Sequence, residues 1–302
     1  MARTLVVIGN FDGVHVGHRA LLREALAAGS QAVGDPRLVV VTFWPHPLRI
    51  VAPRHAPRLL DDLTTRIELL KAAGAHEVRV VPFSPHVADW TPETFVASVI
   101  APLDPTVVMV GENFRFGRRA EGTPDTLRTL GAGRFDVCPL PLVRYGDAAV
   151  CSTAIRSALA DGDLAGANAM LGRPFRLRGV VQMGDQRGRA LGFPTANLPV
   201  TPEFAVPADG VYAGWLTRID EQGRRLPAAI NVGSNPTFDG CDSRVEAYVL
   251  DHDDLELYGV EVAVDFASRL RGMVRFDGVD ALVAQVRRDV ADTRAALQNT
   301  PS

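Results

Sequence analysis

A change of hydrophobic rhythm near residue 172 constrains this chain more than any other feature. Before it, short β-branched runs alternate with segments of helical spacing. Leu5–Ile8, Leu38–Phe43, Val78–Val81 and Val107–Val110 read as buried strands, and His18–Ala28, Leu60–Ala73 and Pro92–Ile100 as the helices between them. Apolar strands separated by helices need cover on both faces, which is the pattern of a parallel sheet in an α/β domain. Ligands in such folds bind beyond the carboxyl ends of the strands, so the segments after Ile8, Phe43 and Val110 are where chemistry is expected. Asp163–Leu171 reads as a last helix, ended by Gly172-Arg-Pro174. After it come the strand segments Phe175–Val181, Gly210–Ile219, Leu226–Val232, Ser243–Leu250 and Val260–Phe266, in succession. That succession predicts an antiparallel barrel or sandwich. A helix from Gly278 to Leu297, with Leu282, Val283, Val286, Val290 and Leu297 on its apolar stripe, closes the chain. The expected division is therefore residues 1–172 and 173–302.

A length of 302 residues agrees with two domains. The net charge of -3 argues against a general nucleic-acid binder, whose footprint is strongly basic. Cys138, Cys151 and Cys241 form neither a disulfide framework nor a metal-ligand spacing. Met1–Thr4 leads straight into a short apolar run, unlike a signal peptide, and no run approaches the roughly 20 apolar residues of a membrane span. These features predict a cytoplasmic protein without a membrane or nucleic-acid partner. Whether copies associate into a homo-oligomer is left open.

The string Gly9-Asn-Phe-Asp-Gly-Val-His15-Val-Gly-His18 follows the first strand and opens the first helix. Gly9 lets the backbone approach a ligand, and Asp12-Gly13 suits a tight turn. Two histidines flanking Gly17 stand at a helix N-terminus, whose free N–H groups and partial positive charge attract phosphate. Imidazoles there can stabilise charge developing on phosphorus. Helix capping is the plainer alternative; zinc is weaker, because no third ligand stands nearby. Gly111–Gly117 follows another strand, and Ser152-Thr153-Ala-Ile-Arg156 opens another helix. Its hydroxyls suit capping. Arg156, one turn in, opposes the helix dipole and so needs another reason, such as a triphosphate.

The second half holds Arg187-Gly188-Arg189-Ala-Leu-Gly192-Phe-Pro194-Thr195-Ala-Asn197, which is neither a Walker loop nor a Rossmann fingerprint. Glycine flanked by arginines can still wrap phosphate. Thr195 and Asn197 share a side of an extended segment, and their oxygens can hold Mg2+ together with ATP phosphates. Asn231–Phe238 precedes Arg244–Asp251, in which alternation sets Glu246 among partly apolar neighbours. A carboxylate so placed, with its pKa raised by burial, suits a general base.

The string ending in His15-Val-Gly-His18 resembles the HxGH signature of the nucleotidyltransferase superfamily. Together with the Asn113 and Ser152–Arg156 blocks, it resembles the adenylyltransferase module of the prokaryotic bifunctional riboflavin kinase/FAD synthetase family. The ordered set GFPTAN, NPTF, VEAYVLD, LYG and LR…RF is similar to that family's riboflavin kinase domain, so the resemblance runs from about residue 5 to 297. It implies an HxGH nucleotidyltransferase-like α/β domain followed by a β-barrel kinase domain with a closing helix. It further implies phosphorylation of riboflavin to FMN and adenylylation of FMN to FAD, with ATP as co-substrate and Mg2+ as cofactor. His15 and His18 would assist AMP transfer. Gly9, Phe11, Asp12, Gly13, Gly17, Ser152, Thr153 and Arg156 would face ATP, and Asn113 and His46 the flavin. In the kinase half, Arg187, Gly188, Arg189, Gly192 and Pro194 would meet ATP phosphates, and Thr195 and Asn197 would hold Mg2+. Glu246 would be the base, and Arg271 would lie near the flavin.

The chain departs from the family pattern at Trp44, where an acidic residue is common, at Arg54-His55, and at Cys151, where a serine is usual. Met183 and Asn235 depart in the kinase half. Trp44 and His55 motivate a rival reading as a riboflavin kinase whose N-terminal half is degenerate or acts on another acceptor. A non-enzymatic flavin-binding regulator is a third reading, opposed by the presence of both histidines and Glu246.

Overall fold

The computed structural model describes residues 3–30, 36–145, 148–183, 192–220, 223–237, 240–252 and 255–298. The chain divides into two compact units, Met1–Pro57 with Asp62–Ser152, and Arg58–Asp61 with Thr153–Ser302.

In the first unit, β1 (Thr4–Ile8), β2 (Arg37–Trp44), β3 (Glu77–Pro82), β4 (Val107–Gly111) and β5 (Asp136–Leu140) form a wholly parallel sheet in the order β3-β2-β1-β4-β5. Alternate residues of one strand enter opposite cores, as expected for a sheet covered on both sides. Val6 and Ile8 pack with Phe95, Ile100 and Leu127, whereas Leu5 and Val7 pack with Leu22 and Leu70. The covering helices are α1 (Val16–Ser30), the short α2 (Pro47–Val51), α3 (Leu63–Ala72), α4 (Pro85–Ala88), α5 (Pro92–Phe95) and α6 (Pro124–Gly131). Helix α3 begins at Leu63, not at Leu60 as its periodicity suggests, because the Asp62 carboxylate caps the Thr65 N–H at 2.7 Å. Leu59 instead pairs with Phe204 in the second unit. The order reverses between β1 and β4, which makes their carboxyl ends the switch point where a ligand is expected. A hairpin of β6 (Arg144–Tyr145) and β7 (Ala148–Ala149) follows.

The second unit begins with α7 (Ser152–Asp161) and α8 (Leu164–Leu171) and continues as an antiparallel sheet. Its strands β8 (Phe175–Val180), β9 (Thr195–Val200), β10 (Gly210–Arg218), β11 (Arg225–Thr237), β12 (Gly240–Val249) and β13 (Glu261–Arg271) take the order β8-β13-β10-β11-β12-β9. The two ends of that order meet just beyond β8, where Gln182 N–H donates to the Asn197 carbonyl at 2.9 Å, nearly closing a barrel. Helix α9 (Val279–Gln298) packs on β10, β11 and β13.

The rhythm suggests a cut near residue 172, but the packing divides the chain earlier, since α8 and nearly all of α7 group with the barrel. The reason is visible at Asn168. Its amide donates to the Phe266 carbonyl at 2.9 Å and accepts the Phe175 N–H at 2.8 Å, joining α8 to β13 and β8.

Candidate active sites

The turn after β1 is built against backbone preference. Phe11 (φ 53°), Gly13 (φ 82°) and Val14 (φ 37°) are all left-handed. For the two non-glycines that costs about 1–3 kcal/mol each, so outside contacts must hold the turn. Those contacts are present. The Thr42 hydroxyl and the Arg66 guanidinium both donate to the Asn10 carbonyl at 3.0 Å, and Ser152 Oγ donates to the Asp12 carbonyl at 2.9 Å. Arg66 also lies 3.2 Å from the Asp12 carboxylate, both side chains being almost wholly buried.

The turn delivers His15 as the cap of α1. Its Nδ1 accepts the His18 N–H at 3.3 Å, which leaves the proton of a neutral His15 on Nε2. The two imidazoles stack with centroids 3.6 Å apart. Gly17 permits this, because a Cβ there would stand 3.1 Å from His15 Nδ1. His18 Nδ1 is buried and has no hydrogen-bond partner among the described residues. Burial above all, then His15 and Arg66, holds the His18 pKa well below the usual imidazole value.

These groups border a cavity of about 1270 Å³, large for a single mononucleotide and roomy enough for a dinucleotide. Gly9, Phe11, His15, Gly17, His18, His46, Asn113 and Ser152 line it, as does Cys151. Its apolar wall includes Phe43, Phe83, Phe95, Phe114 and Phe116. His46 caps α2, its Nδ1 accepting the Leu48 N–H at 3.2 Å. Asp12 and Gly13 are not in the wall, because the Asp12 carboxylate is engaged by Arg66. Thr153 and Arg156 group with the second unit, where Arg156 donates to the Arg58 carbonyl at 3.4 Å and to Thr153 Oγ1 at 3.5 Å. Arg66 is the residue that sequence reasoning missed. Its one signal was a cation on the buried stripe of α3, between Leu63 and Leu70.

In the barrel, register assembles a second site. Glu246 on β12 stands opposite Asn197 on β9 and opposite Asn231 on β11, while Tyr248 stands opposite Thr195. Directly opposed residues share a face, so Thr195, Asn197, Glu246 and Asn231 project together. Asn231 is a second missed residue; its run was noted, but only strand pairing shows that it meets Glu246. Asn197 Oδ1 is buried with no hydrogen-bond partner among the described residues, while its Nδ2 reaches the Thr195 carbonyl at 3.4 Å. A spare amide oxygen beside a hydroxyl suits a hard cation that takes few protein ligands and shares substrate phosphates. Among the described residues no cluster of three His, Cys, Asp or Glu side chains could hold a metal by itself.

Glu246 is less enclosed than alternation suggested. Its side chain keeps 31% exposure and Arg244 Nη1 lies 3.7 Å from Oε1. Gly192 is exposed with φ 84°, Pro194 is half-buried, and Met183 is exposed. Arg187, Gly188 and Arg189 lie outside the described residues. Arg271, expected near flavin, forms a two-pronged pair with Asp289 of α9 at 2.8 and 2.6 Å. The guanidinium therefore ties β13 to the closing helix.

Comparison with known proteins places a family on each unit. An FAD synthetase model matches residues 1–154 and a riboflavin kinase model matches 171–297. The chain is 37% identical over 297 residues to the bifunctional riboflavin kinase/FMN adenylyltransferase of Escherichia coli (strain K12), covering 96% of this chain and 91% of that protein. It is 30% identical over 294 residues to the protein of that name from Bacillus subtilis (strain 168), covering 95% and 90%. Among solved structures, one described as a macrolide-efflux protein from Streptococcus pneumoniae superposes with a TM-score of 0.86 at 34% identity, over 97% of this chain and 94% of that one. No helix among the described residues is long and apolar enough to cross a membrane.

Proposed function

Because the chain belongs to the bifunctional riboflavin kinase/FMN adenylyltransferase family, we propose that its two units divide the two steps from riboflavin to FAD. The barrel phosphorylates riboflavin, and the parallel-sheet unit adenylylates the FMN. One observation supports this division above all: the two family segments fall on two units, each with its own group of polar side chains suited to one of the steps.

In the barrel, Glu246 accepts the proton of the ribityl 5′-hydroxyl as that oxygen bonds to the γ-phosphorus of ATP, and ADP leaves. Thr195 and Asn197 would hold Mg2+, which when bound would neutralise charge on the ATP phosphates. Asn231, opposite Glu246, orients the carboxylate. The 31% exposure of Glu246 leaves room for the hydroxyl to reach it.

In the first unit, a phosphate oxygen of FMN attacks the α-phosphorus of ATP, and pyrophosphate leaves with the pair of electrons from the broken bond. A phosphate is already a competent nucleophile, so the protein's task is to position it and to stabilise charge. His15 donates from Nε2, since its Nδ1 is taken by the His18 N–H. The phenylalanine-rich wall holds the isoalloxazine, with His46 and Asn113 beside it. A kinase-only protein would have no use for two stacked histidines on a cavity of this size, so that reading is not favoured. ATP supply and free Cys138 and Cys151 thiols suit the cytoplasm.

The test is separation of the activities in the full chain. Glu246→Gln should lose FMN formation from riboflavin while still converting supplied FMN to FAD, and His15→Ala/His18→Ala should do the reverse. Loss of both activities in either folded variant would refute the division.

A further inference from the structure

We propose that Arg66 is a positioning residue for adenylyl transfer, acting through the turn that carries the two histidines rather than on substrate. Its side chain is fully buried and does not line the cavity. Two of its contacts are in the turn, the Asn10 carbonyl at 3.0 Å and the Asp12 carboxylate at 3.2 Å, and its guanidinium also lies 5.3 Å from the centroid of the Trp44 ring. A buried cation is disfavoured unless its surroundings compensate it, and a leucine would fill the same space without that penalty. What only a guanidinium supplies here is a rigid fork of donors with a flat face for stacking. The fork meets the Asp12 carboxylate, and the Trp44 ring lies near the guanidinium.

The consequence reaches the imidazoles through geometry and charge. Without the fork, the left-handed turn at Phe11 and Val14 loses two of its external ties, and the His15–His18 stack moves with it. The guanidinium also opposes protonation of His18, and the opposite charge of the Asp12 carboxylate 3.2 Å away offsets part of its field. His18 is stacked on His15 and meets the edge of Phe11, and the other charged or titratable groups on the same cavity wall are Glu24, His46, Asp89, Arg115, Arg118, Arg119 and Cys151.

The inference rests on adenylyl transfer taking place at this cavity. Wild-type protein that forms no FAD from FMN, ATP and Mg2+ would refute that reading, whereas Arg66 variants test only the positioning role. In the full chain, Arg66→Met should lower kcat for FAD formation about 100-fold, the scale of a misplaced reacting group, with KM for ATP changed less than about threefold. Riboflavin phosphorylation in the same samples should not change. The pH–rate limb set by the histidine pair should move to higher pH in Arg66→Met and to lower pH in Asp12→Asn, which leaves the guanidinium uncompensated. Arg66→Lys should restore the wild-type limb and part of kcat. A kcat within about twofold of wild type in Arg66→Met, an effect confined to KM, or limbs that move together in the two variants would overturn the proposal. Should Arg66→Met fail to fold, Arg66→Lys and Asp12→Asn decide: a lower limb in Asp12→Asn alone supports it, and an unmoved limb overturns it.

Discussion

Replacing Asp289 by alanine should weaken the barrel by an amount that its contacts allow to be worked out. Asp289 is 5% exposed and accepts from Arg271 at 2.8 and 2.6 Å and from Gln285 at 2.9 Å. The alanine removes all three acceptor bonds and leaves a cation facing a hole. Breaking one side of a buried pair costs about 3–5 kcal/mol, and because Arg271 keeps 22% exposure and can recruit water, about 3 kcal/mol is expected. At a urea m of about 2 kcal/mol/M, the unfolding midpoint should fall by about 1.5 M. Trp215 is the one tryptophan of the second unit, so its fluorescence in a Trp44→Phe/Trp90→Phe background reports that transition. The paired change Arg271→Met/Asp289→Leu should recover most of the loss, since apolar groups of similar volume replace the ions. A midpoint for Asp289→Ala within about 0.3 M of wild type, or a paired variant as weak as the sum of its singles, would refute the reasoning. The paired variant also tests the flavin role expected for Arg271. If Arg271 touches flavin, KM for riboflavin stays raised after stability returns; if it is only a tie, KM returns too.

His18, buried with a depressed pKa, takes up a proton more readily unfolded than folded, so stability should fall as pH drops below about 6.5 and level off above it. His18→Gln should flatten that slope in thermal melts of the first unit between pH 7 and pH 5. Gly17→Ala puts a Cβ 3.1 Å from His15 Nδ1 and must displace the stack by a few tenths of an ångström. FAD formation should fall about tenfold in that variant, with riboflavin phosphorylation unchanged in the same preparation. Asn197→Ala removes the spare buried oxygen, and the Mg2+ concentration for half-maximal phosphorylation should rise about tenfold. An unchanged Mg2+ titration would remove Asn197 from the metal site.

Both architectures were legible because their signals are local. Leu5–Ile8 and Leu38–Phe43 are apolar on both faces, which only a doubly covered sheet tolerates, and the later strands follow one another without helices. The strand Asp136–Leu140 escaped because it is short, half-exposed and carries Pro139, and Thr195–Val200 because Pro199 and a glycine-rich approach mask it. The histidines, Asn197 and Glu246 were legible as motif residues. Arg66 and Asn231 were not, since each meets a residue that is not its sequence neighbour, Arg66 the Asp12 carboxylate and Asn231 the position opposite Glu246. Propensity cannot report such pairings; only the parallel crossover and the strand register create them. The cut expected near 172 lies where the riboflavin kinase match begins, at residue 171, whereas the packing divides the chain earlier, after Ser152. Helix α8 looks like the end of an alternating pattern, yet Asn168 commits it to the barrel strands.

The two sites are therefore held by different means and should respond differently to change. In the first, the polar groups sit on a strained turn whose shape depends on buried ties, so a substitution well away from substrate, at Thr42 or Arg66, can displace both imidazoles at once. In the second, Glu246 and Asn197 sit on regular strands, and no strain has to be opposed at either residue. Their meeting depends on register alone. A slip of one residue between β9 and β12 would leave Glu246 opposite a different partner and turn Val245 or Ala247, both fully buried, toward the polar face. The apolar core on one side of β12 thus enforces the alignment of the side chains proposed for catalysis and metal binding on the other, and a core substitution that loosens Val245 or Ala247 should be felt first as lost phosphorylation, before the barrel itself unfolds.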